Sequence, residues 1–466
     1  MTPYSHLIEK SREILGDGGI VEVCDAADFL KDSVGPGLPC LFVARPKTTE
    51  QMSRIVSLCR AHGVAIVPQG GNSNVCAMAV PTEEQPTILL SLSRMNAIIE
   101  INPARSTVTV EAGCIMEVLQ DAVAEHGLAF APDWGARGTA TVGGAVATNG
   151  GGLNVLRFGT TREQVLGMEV VMADGRVWNG LRALVKDNSG YDLKHLFVGS
   201  EGTLGIITKL MFRLHPAQPL SQSMFASLSD KSRVTEFLAM ARSIAGERLT
   251  AFELLPGLGV EKALERYPDL RRPCETRADW YILVRMSDRE KVDEKLATLF
   301  EMGFETGIID DAVMASSDAQ EKNLWEIREQ MIPHQYFGAY KMMKWDVSIP
   351  VDEIMAFLAE AEATIASISE RAFSYAVGHV GDGNIHLSAY LERTDDADSI
   401  SARIYEQIDS LIWEFGGSIV AEHGVGSLYR DRVQRQKSQL EYEMLQRLKQ
   451  CFDPEGLFNP GKLVNM

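Results

Sequence analysis

Three glycine-dense stretches in the first half of the chain restrict its fold more than any other feature, because each must bring backbone close to something that a side chain would block. They are Pro68-Gln69-Gly70-Gly71-Asn72-Ser73-Asn74, then Gly138-Thr139-Ala140-Thr141-Val142-Gly143-Gly144-Ala145-Val146-Ala147-Thr148-Asn149-Gly150-Gly151-Gly152, then Gly199-Ser200-Glu201-Gly202-Thr203-Leu204-Gly205-Ile206-Ile207. The first directly follows an apolar strand pattern, Ala65-Ile66-Val67, which ends at Pro68. Paired glycines there can turn several N–H groups toward an anion and hold a diphosphate with few cationic side chains. One such loop is compatible with a tight turn. Three in one half point to a single large nucleotide. The sequence has neither a G-x-G-x-x-G fingerprint nor a G-x-x-x-x-G-K-[ST] loop, which argues against a Rossmann NAD site and a P-loop NTPase.

At 466 residues the chain fits two domains, or one interrupted by another. The boundary suggested by Pro and Gly punctuation near 216–219 separates the glycine-dense part from long amphipathic segments at 231–245, 289–302 and 318–331. Alternating Ser106-Thr107-Val108-Thr109-Val110-Glu111 and a hairpin turning at Asp174-Gly175 give an α+β rhythm. The expected division is 1–217, 218–417 and a returning segment 418–466 with a helix over about 438–452.

The formal net charge of -18 disfavours nucleic acid and anionic lipid, since phosphate binding needs clustered Lys and Arg. Seven scattered cysteines without C-x-x-C spacing argue against a disulfide framework, a zinc ribbon and an iron–sulfur cluster. No apolar run reaches the roughly 18 residues a membrane span requires, and residues 1–16 do not look like a signal segment. A cytoplasmic location is the resulting expectation.

The chemically richest segment is His379-Val380-Gly381-Asp382-Gly383-Asn384-Ile385-His386. On a straight strand a spacing of seven puts the two histidines on opposite faces. A hairpin centred between Asp382 and Gly383 would instead make them cross-strand partners able to converge on one ion. Ala421-Glu422-His423-Gly424-Val425-Gly426 supplies a third candidate ligand, Glu422. Two histidines and one carboxylate suit a divalent ion, with zinc the first expectation and cobalt or manganese the alternatives. His423, an imidazole beside a ligand, is the candidate base.

The three loops, spaced as they are, together with Lys186-Asp187-Asn188-Ser189-Gly190-Tyr191-Asp192-Leu193-Lys194, resemble the vanillyl-alcohol oxidase and p-cresol methylhydroxylase flavoproteins, in particular their D-lactate and D-2-hydroxyglutarate dehydrogenase branch. The resemblance implies an α+β fold with a two-part FAD-binding domain and an inserted cap domain built on an antiparallel sheet. It implies FAD held by Pro68 to Asn74, Pro132, Gly135, Thr141, Gly143, Gly144, Ala147, Thr148, Asn149, Gly151, Gly152, Glu201, Gly202, Gly205, Ile206, Ile207 and Asn459. Attachment would be noncovalent, since the first loop contains no histidine. The family's metal ligands map onto His379, His386 and Glu422, and its substrate-binding positions onto Arg328, Lys344 and Asn384.

The implied reaction is oxidation of a small D-2-hydroxy acid, with electrons passed to a separate acceptor such as an electron-transfer flavoprotein, a quinone, a cytochrome or oxygen. A homodimer is one assembly considered. Two departures, Ile332 and Ser388 in place of polar residues of the 2-hydroxyglutarate enzymes, favour a smaller acid such as D-lactate as competitor. A flavin-dependent transferase of the alkylglycerone-phosphate synthase type and a noncatalytic flavin- or metal-binding module are the other readings.

Overall fold

In the computed structural model, which describes residues 3–331 and 335–465, the elements that carry the glycine loops form for local reasons. Helix Thr49–Ala61 starts where Thr48 Oγ1 accepts the Gln51 N–H, and it buries Met52, Ile55, Val56 and Cys59, the i, i+3, i+4, i+7 face of a 3.6-residue repeat. It leads into strand Ala65–Gln69, parallel to Thr87–Ser91 and buried nearly throughout. The strand continues through Pro68, where the apolar pattern stops. Proline is tolerated one residue from the strand end, and it pairs with Leu90.

The chain divides into two compact units. The first comprises Met1–Gly152, Gly159–Ala217 and Glu422–Met466; the second comprises Leu153–Phe158 and Gln218–Ala421. Residues 418–421 go with the second unit because Ser418 bridges to Ser348 and Val420 to Asp346. The first unit holds a four-stranded sheet ordered Ile20–Val21, Val43–Ala44, Thr87–Ser91, Ala65–Gln69, and a five-stranded antiparallel sheet ordered Ile98–Asn102, Thr107–Glu111, Ile206–Arg213, Val165–Val171, Val177–Asn179.

Strand Val165–Val171 is buried along its whole length yet contains Glu169, whose Oε1 accepts from Thr49 Oγ1 at 2.6 Å, Thr208 Oγ1 at 2.9 Å and Lys209 Nζ at 2.9 Å. Burial alone would raise the carboxyl pKa, but these donors outweigh it and hold it below the ordinary value. A depressed carboxyl stabilises the fold above its unfolded pKa and loses that contribution as pH falls through the folded one. Glu169→Gln is therefore expected to cost about 1.5–3 kcal/mol at pH 7, with the gap to wild type closing below about pH 4 in denaturant titrations. A gap independent of pH would refute the charged role.

The second unit is organised by one seven-stranded antiparallel sheet, ordered Ile309–Met314, Leu220–Leu228, Trp280–Asp288, Leu249–Pro256, Ala372–His379, Asn384–Glu392, Tyr340–Ser348. Helices cover one face: Phe237 of Val234–Ala245 packs on Phe252, and Asp409 of Ala397–Glu414 accepts the Trp345 indole N–H. Because side chains alternate along a strand, Glu253, Lys344 and Asp346, next to those two positions, belong to the opposite face. The ladder pairs His379 with Asn384, His386 with both Val377 and Asp346, and Ser388 with both Tyr375 and Lys344, which adds these residues to that same face. Helix Asp318–Glu329, capped by Ser317, lies over this face, with Trp325 Nε1 donating to Ser223 Oγ and Arg328 reaching Glu253.

Candidate functional site

The turn joining Ala372–His379 to Asn384–Glu392 is set by its own residues. Asp382 Oδ1 accepts the Asn384 N–H, and the His379 carbonyl accepts the N–H groups of Asp382 and Gly383. Gly383 has φ +91°, and a Cβ there would lie 2.6 Å from the Ile349 carbonyl oxygen. The hairpin is centred between Gly381 and Asp382, one position before the expected centre, so His379 faces Asn384 and not His386. A one-position shift of the centre moves each pairing by two residues, which preserves the face. The histidines are thus diagonal neighbours, with ring centroids 5.4 Å apart and planes at 84°.

Beneath each imidazole lies a buried carboxylate that the motifs did not reveal. His379 Nδ1 is 2.7 Å from Glu253 Oε1, and His386 Nδ1 is 3.4 Å from Asp346 Oδ1. Glu253, 1% exposed, also accepts from Arg328 Nε at 3.0 Å. Burial would push its carboxyl up, but His379 and Arg328 more than reverse this and bring its pKa to about 2. An imidazole whose Nδ1–H is held by a carboxylate keeps its Nε2 lone pair for a cation, so the donor chemistry of this face fits a divalent ion.

The three expected substrate residues lie on or over the same face, but they are not equally committed. Arg328 is paired with Glu253, and its Nη2 lies 3.5 Å from His379 Nε2. Lys344, half-buried, has no carboxylate partner for its Nζ among the described residues. Asn384 donates through Nδ2 to Asp346 Oδ1 and the Val347 carbonyl, which leaves its buried Oδ1 without a partner among the described residues. Ser388 is buried, while Ile332 lies outside the described residues.

Ala421 N–H donates to the Asp346 carbonyl at 2.8 Å, and the next residue, Glu422, begins the last segment of the first unit. There Glu422 Oε2 accepts the Gly152 N–H at 2.8 Å, and Oε1 lies 3.8 Å from His423 Nε2. The turn behind them is clamped by Glu201, fully buried, which accepts the N–H groups of Val425 and Gly426 at 2.6 and 2.8 Å. Burial raises the Glu201 carboxyl to about 7 despite those donors.

The glycine stretches pack on one another through their missing side chains. A Cβ on Gly70 would meet Thr141 Oγ1 at 2.3 Å, and one on Gly71 would meet the Thr139 carbonyl oxygen at 1.8 Å. One on Gly143 would lie 2.7 Å from the Ala112 carbonyl oxygen. Several residues expected to touch the cofactor also brace these loops. Gln69 Nε2 donates to the Phe29 and Ala79 carbonyls, Thr141 caps helix Val142–Thr148, and Asn149 Oδ1 accepts from Thr160 Oγ1 and the Arg162 N–H. The Pro132 carbonyl accepts from Gln120, and Ile206 and Ile207 are buried strand residues. Other expected residues show unmet capacity: Asn72 Oδ1, Asn74 Nδ2 and Asn459 Oδ1 are buried without partners among the described residues. Asn72, Asn149, Glu201 and Asn459 also account for four of the seven described non-glycine residues with left-handed φ. Orphaned polar atoms and stored backbone strain in one set of loops fit an extended polar cofactor such as FAD.

Residues 40–180 match the FAD binding domain family, and residues 221–463 match the family described as FAD linked oxidases, C-terminal domain. A Xanthomonas citri pv. viticola protein named D-2-hydroxyglutarate dehydrogenase is 34% identical over 427 residues, covering 91% of this chain and 89% of its own. A Bos taurus protein named D-2-hydroxyglutarate dehydrogenase, mitochondrial, is 34% identical over 426 residues, covering 90% of this chain and 76% of its own. A Schizosaccharomyces pombe protein provisionally named a mitochondrial D-lactate dehydrogenase is 34% identical, covering 90% of this chain and 81% of its own.

Among solved structures, p-cresol methylhydroxylase aligns with a TM-score of 0.77 at 17% identity over 99% of this chain and 97% of its own. Alkyldihydroxyacetonephosphate synthase aligns with a TM-score of 0.74 at 16% identity over 98% of this chain and 86% of its own. These likenesses establish the fold, an α+β architecture of the p-cresol methylhydroxylase kind. The relatives' names also overturn the expected cytoplasmic location, since those from Bos taurus, Arabidopsis thaliana and Danio rerio are mitochondrial by name. That expectation rested on missing segments, which carry no address. No helix among the described residues is long and apolar enough to cross a membrane.

Proposed function

Because the chain belongs to the FAD-linked oxidases, in the family of the D-2-hydroxyglutarate and D-lactate dehydrogenases, we propose that it oxidises a D-2-hydroxy acid to the 2-oxo acid with the help of a divalent metal. The observation that carries the metal-assisted reading is the pair of imidazoles on one sheet face, each with its Nδ1 turned toward a buried carboxylate. When bound, FAD would take the hydride from C2, and the ion would make the substrate hydroxyl easier to deprotonate.

The chain's own groups divide the remaining tasks. His379, His386 and Glu422 hold the ion, with Asp346 orienting His386. Lys344, whose charge no described carboxylate offsets, takes the substrate carboxylate, assisted by the Nη edge of Arg328. Asn384 Oδ1 is an acceptor suited to the hydroxyl on C2. His423 receives the hydroxyl proton at an imidazole nitrogen. The site holds FAD without a covalent bond, and zinc is the first metal to test. A short substrate such as D-lactate competes with D-2-hydroxyglutarate because Ser388 offers only a short hydroxyl to a distal carboxylate.

Anaerobic addition of D-lactate, D-2-hydroxyglutarate, malate and the L-enantiomers, with and without chelator, tests this reading. A D-2-hydroxy acid should bleach the flavin, its L-enantiomer should not, and chelation should slow the bleaching. Bleaching by no acid would defeat the proposal in favour of a redox-neutral transferase or a noncatalytic binder. Lys344→Met should lower kcat/KM on the order of 100-fold, the loss of a desolvated charge pair worth about 2–5 kcal/mol. An unchanged kcat/KM would remove Lys344 from substrate binding.

A further inference from the structure

We propose that Glu253 is a positioning residue shared by the metal and substrate ends of the site, one oxygen fixing His379 for the ion and the other fixing Arg328 for the substrate carboxylate. The inference rests on the function proposed above and deepens it. Glu253 lies in Leu249–Pro256, a strand buried at all eight positions, where a carboxylate is expensive unless every lone pair is used. Both oxygens are used, and by different partners: Oε1 faces His379 Nδ1 at 2.7 Å and Oε2 faces Arg328 Nε at 3.0 Å.

The first contact fits an imidazole with its hydrogen on Nδ1, which leaves Nε2 an acceptor that faces Arg328 Nη2 at 3.5 Å and would serve the ion when one is bound. The second holds the guanidinium by its Nε edge and leaves Nη groups to receive an anion. Glu253 also neutralises Arg328. The pair therefore orients a planar donor on this face without adding net charge to it, and Lys344 remains the cation that attracts the substrate.

The position is also hard to substitute. A glutamine offers one acceptor and one donor, so it can accept from Arg328 while also bonding His379 only by donating to Nδ1, which would put the imidazole hydrogen on Nε2. Loss of a residue that orients a metal ligand is expected to weaken metal binding by about 10- to 100-fold.

The test uses the full-length, FAD-loaded protein stripped of metal and titrated by calorimetry with Zn2+ alone. Wild type should bind, and Glu253→Gln should bind about 10- to 100-fold more weakly with unchanged FAD content. On reloading with saturating metal, its KM for the hydroxy acid should rise more than its kcat falls. Glu253→Gln with wild-type affinity and wild-type KM would overturn this inference alone. Wild type that binds no Zn2+ would overturn the metal reading and this inference together. A readout on the unmodified chain covers a variant that does not fold: nitrogen-15 spectra of histidine-labelled, metal-free protein should show His379 protonated at Nδ1, with assignment by loss of its signal in His379→Asn. His379 protonated at Nε2 and bare at Nδ1 would refute the proposal.

Discussion

His386→Ala is expected to leave FAD bound and the fold intact while cutting flavin reduction by a D-2-hydroxy acid by on the order of 1000-fold or more. His386 occupies a strand held by backbone pairs to Val377 and Asp346, which alanine retains, and its side chain is a quarter exposed, so truncation leaves little cavity. What it loses is an imidazole assigned to the ion, and Lewis-acid assistance to a departing proton is worth several kcal/mol, each 1.36 kcal/mol being tenfold in rate. The measurement is single-turnover bleaching, with flavin absorbance and melting temperature recorded on the same sample. Undiminished turnover in metal-free buffer would show that the histidines serve something other than a cation.

Gly71→Ala should have an effect of similar size on a different observable, FAD retention. The new Cβ would lie 1.8 Å from the Thr139 carbonyl oxygen, 2.8 Å from its carbon and 3.1 Å from Ala140 Cα, all backbone atoms that no rotamer change can move. Overpacking ordinarily costs about 1–3 kcal/mol, and here the loops themselves must separate. Gly135→Ala is the informative control, because a Cβ there meets no protein atom within 4 Å. If Gly71→Ala purifies without flavin and melts lower while Gly135→Ala melts like wild type, any flavin lost by the latter reports direct contact with the cofactor. Full flavin content in Gly71→Ala would mean that the first and second loops are less constrained than their packing implies.

The glycine stretches could be read from the sequence because a missing side chain is itself written there, and the need for close approach follows without knowing what approaches. The shared face of His379 and His386 was also legible, but their pairing was not. A turn's centre depends on which side chain caps which amide, here Asp382 on Asn384, and on Gly381 fitting against Leu156 and Phe252. Glu253 and Asp346 escaped the motif reading because each acts across strands distant in sequence. The signal that could have found Glu253 is local: a single carboxylate in Leu249-Thr250-Ala251-Phe252-Glu253-Leu254-Leu255-Pro256, a run otherwise suited to complete burial. Arg328 reads as a helix-surface charge until its partner is known. Gln69 and Asn149 illustrate the opposite limit, since a motif places polar residues in a loop without saying whether they face a ligand or tie the loop down.

The parallel bridge between Ile66 and Phe458, with the Asn459 N–H donating to the Ile66 carbonyl, sets an order for synthesis. Strand Ala65–Gln69 waits for a partner, Phe458, that is made only after every strand of the seven-stranded sheet, the last of which ends at Glu392. The insert can therefore mature first, and the strand that leads into the first glycine loop stays without this partner until Phe458 has been made. Messages truncated shortly before Phe458 should yield polypeptides with a folded insert and no retained flavin.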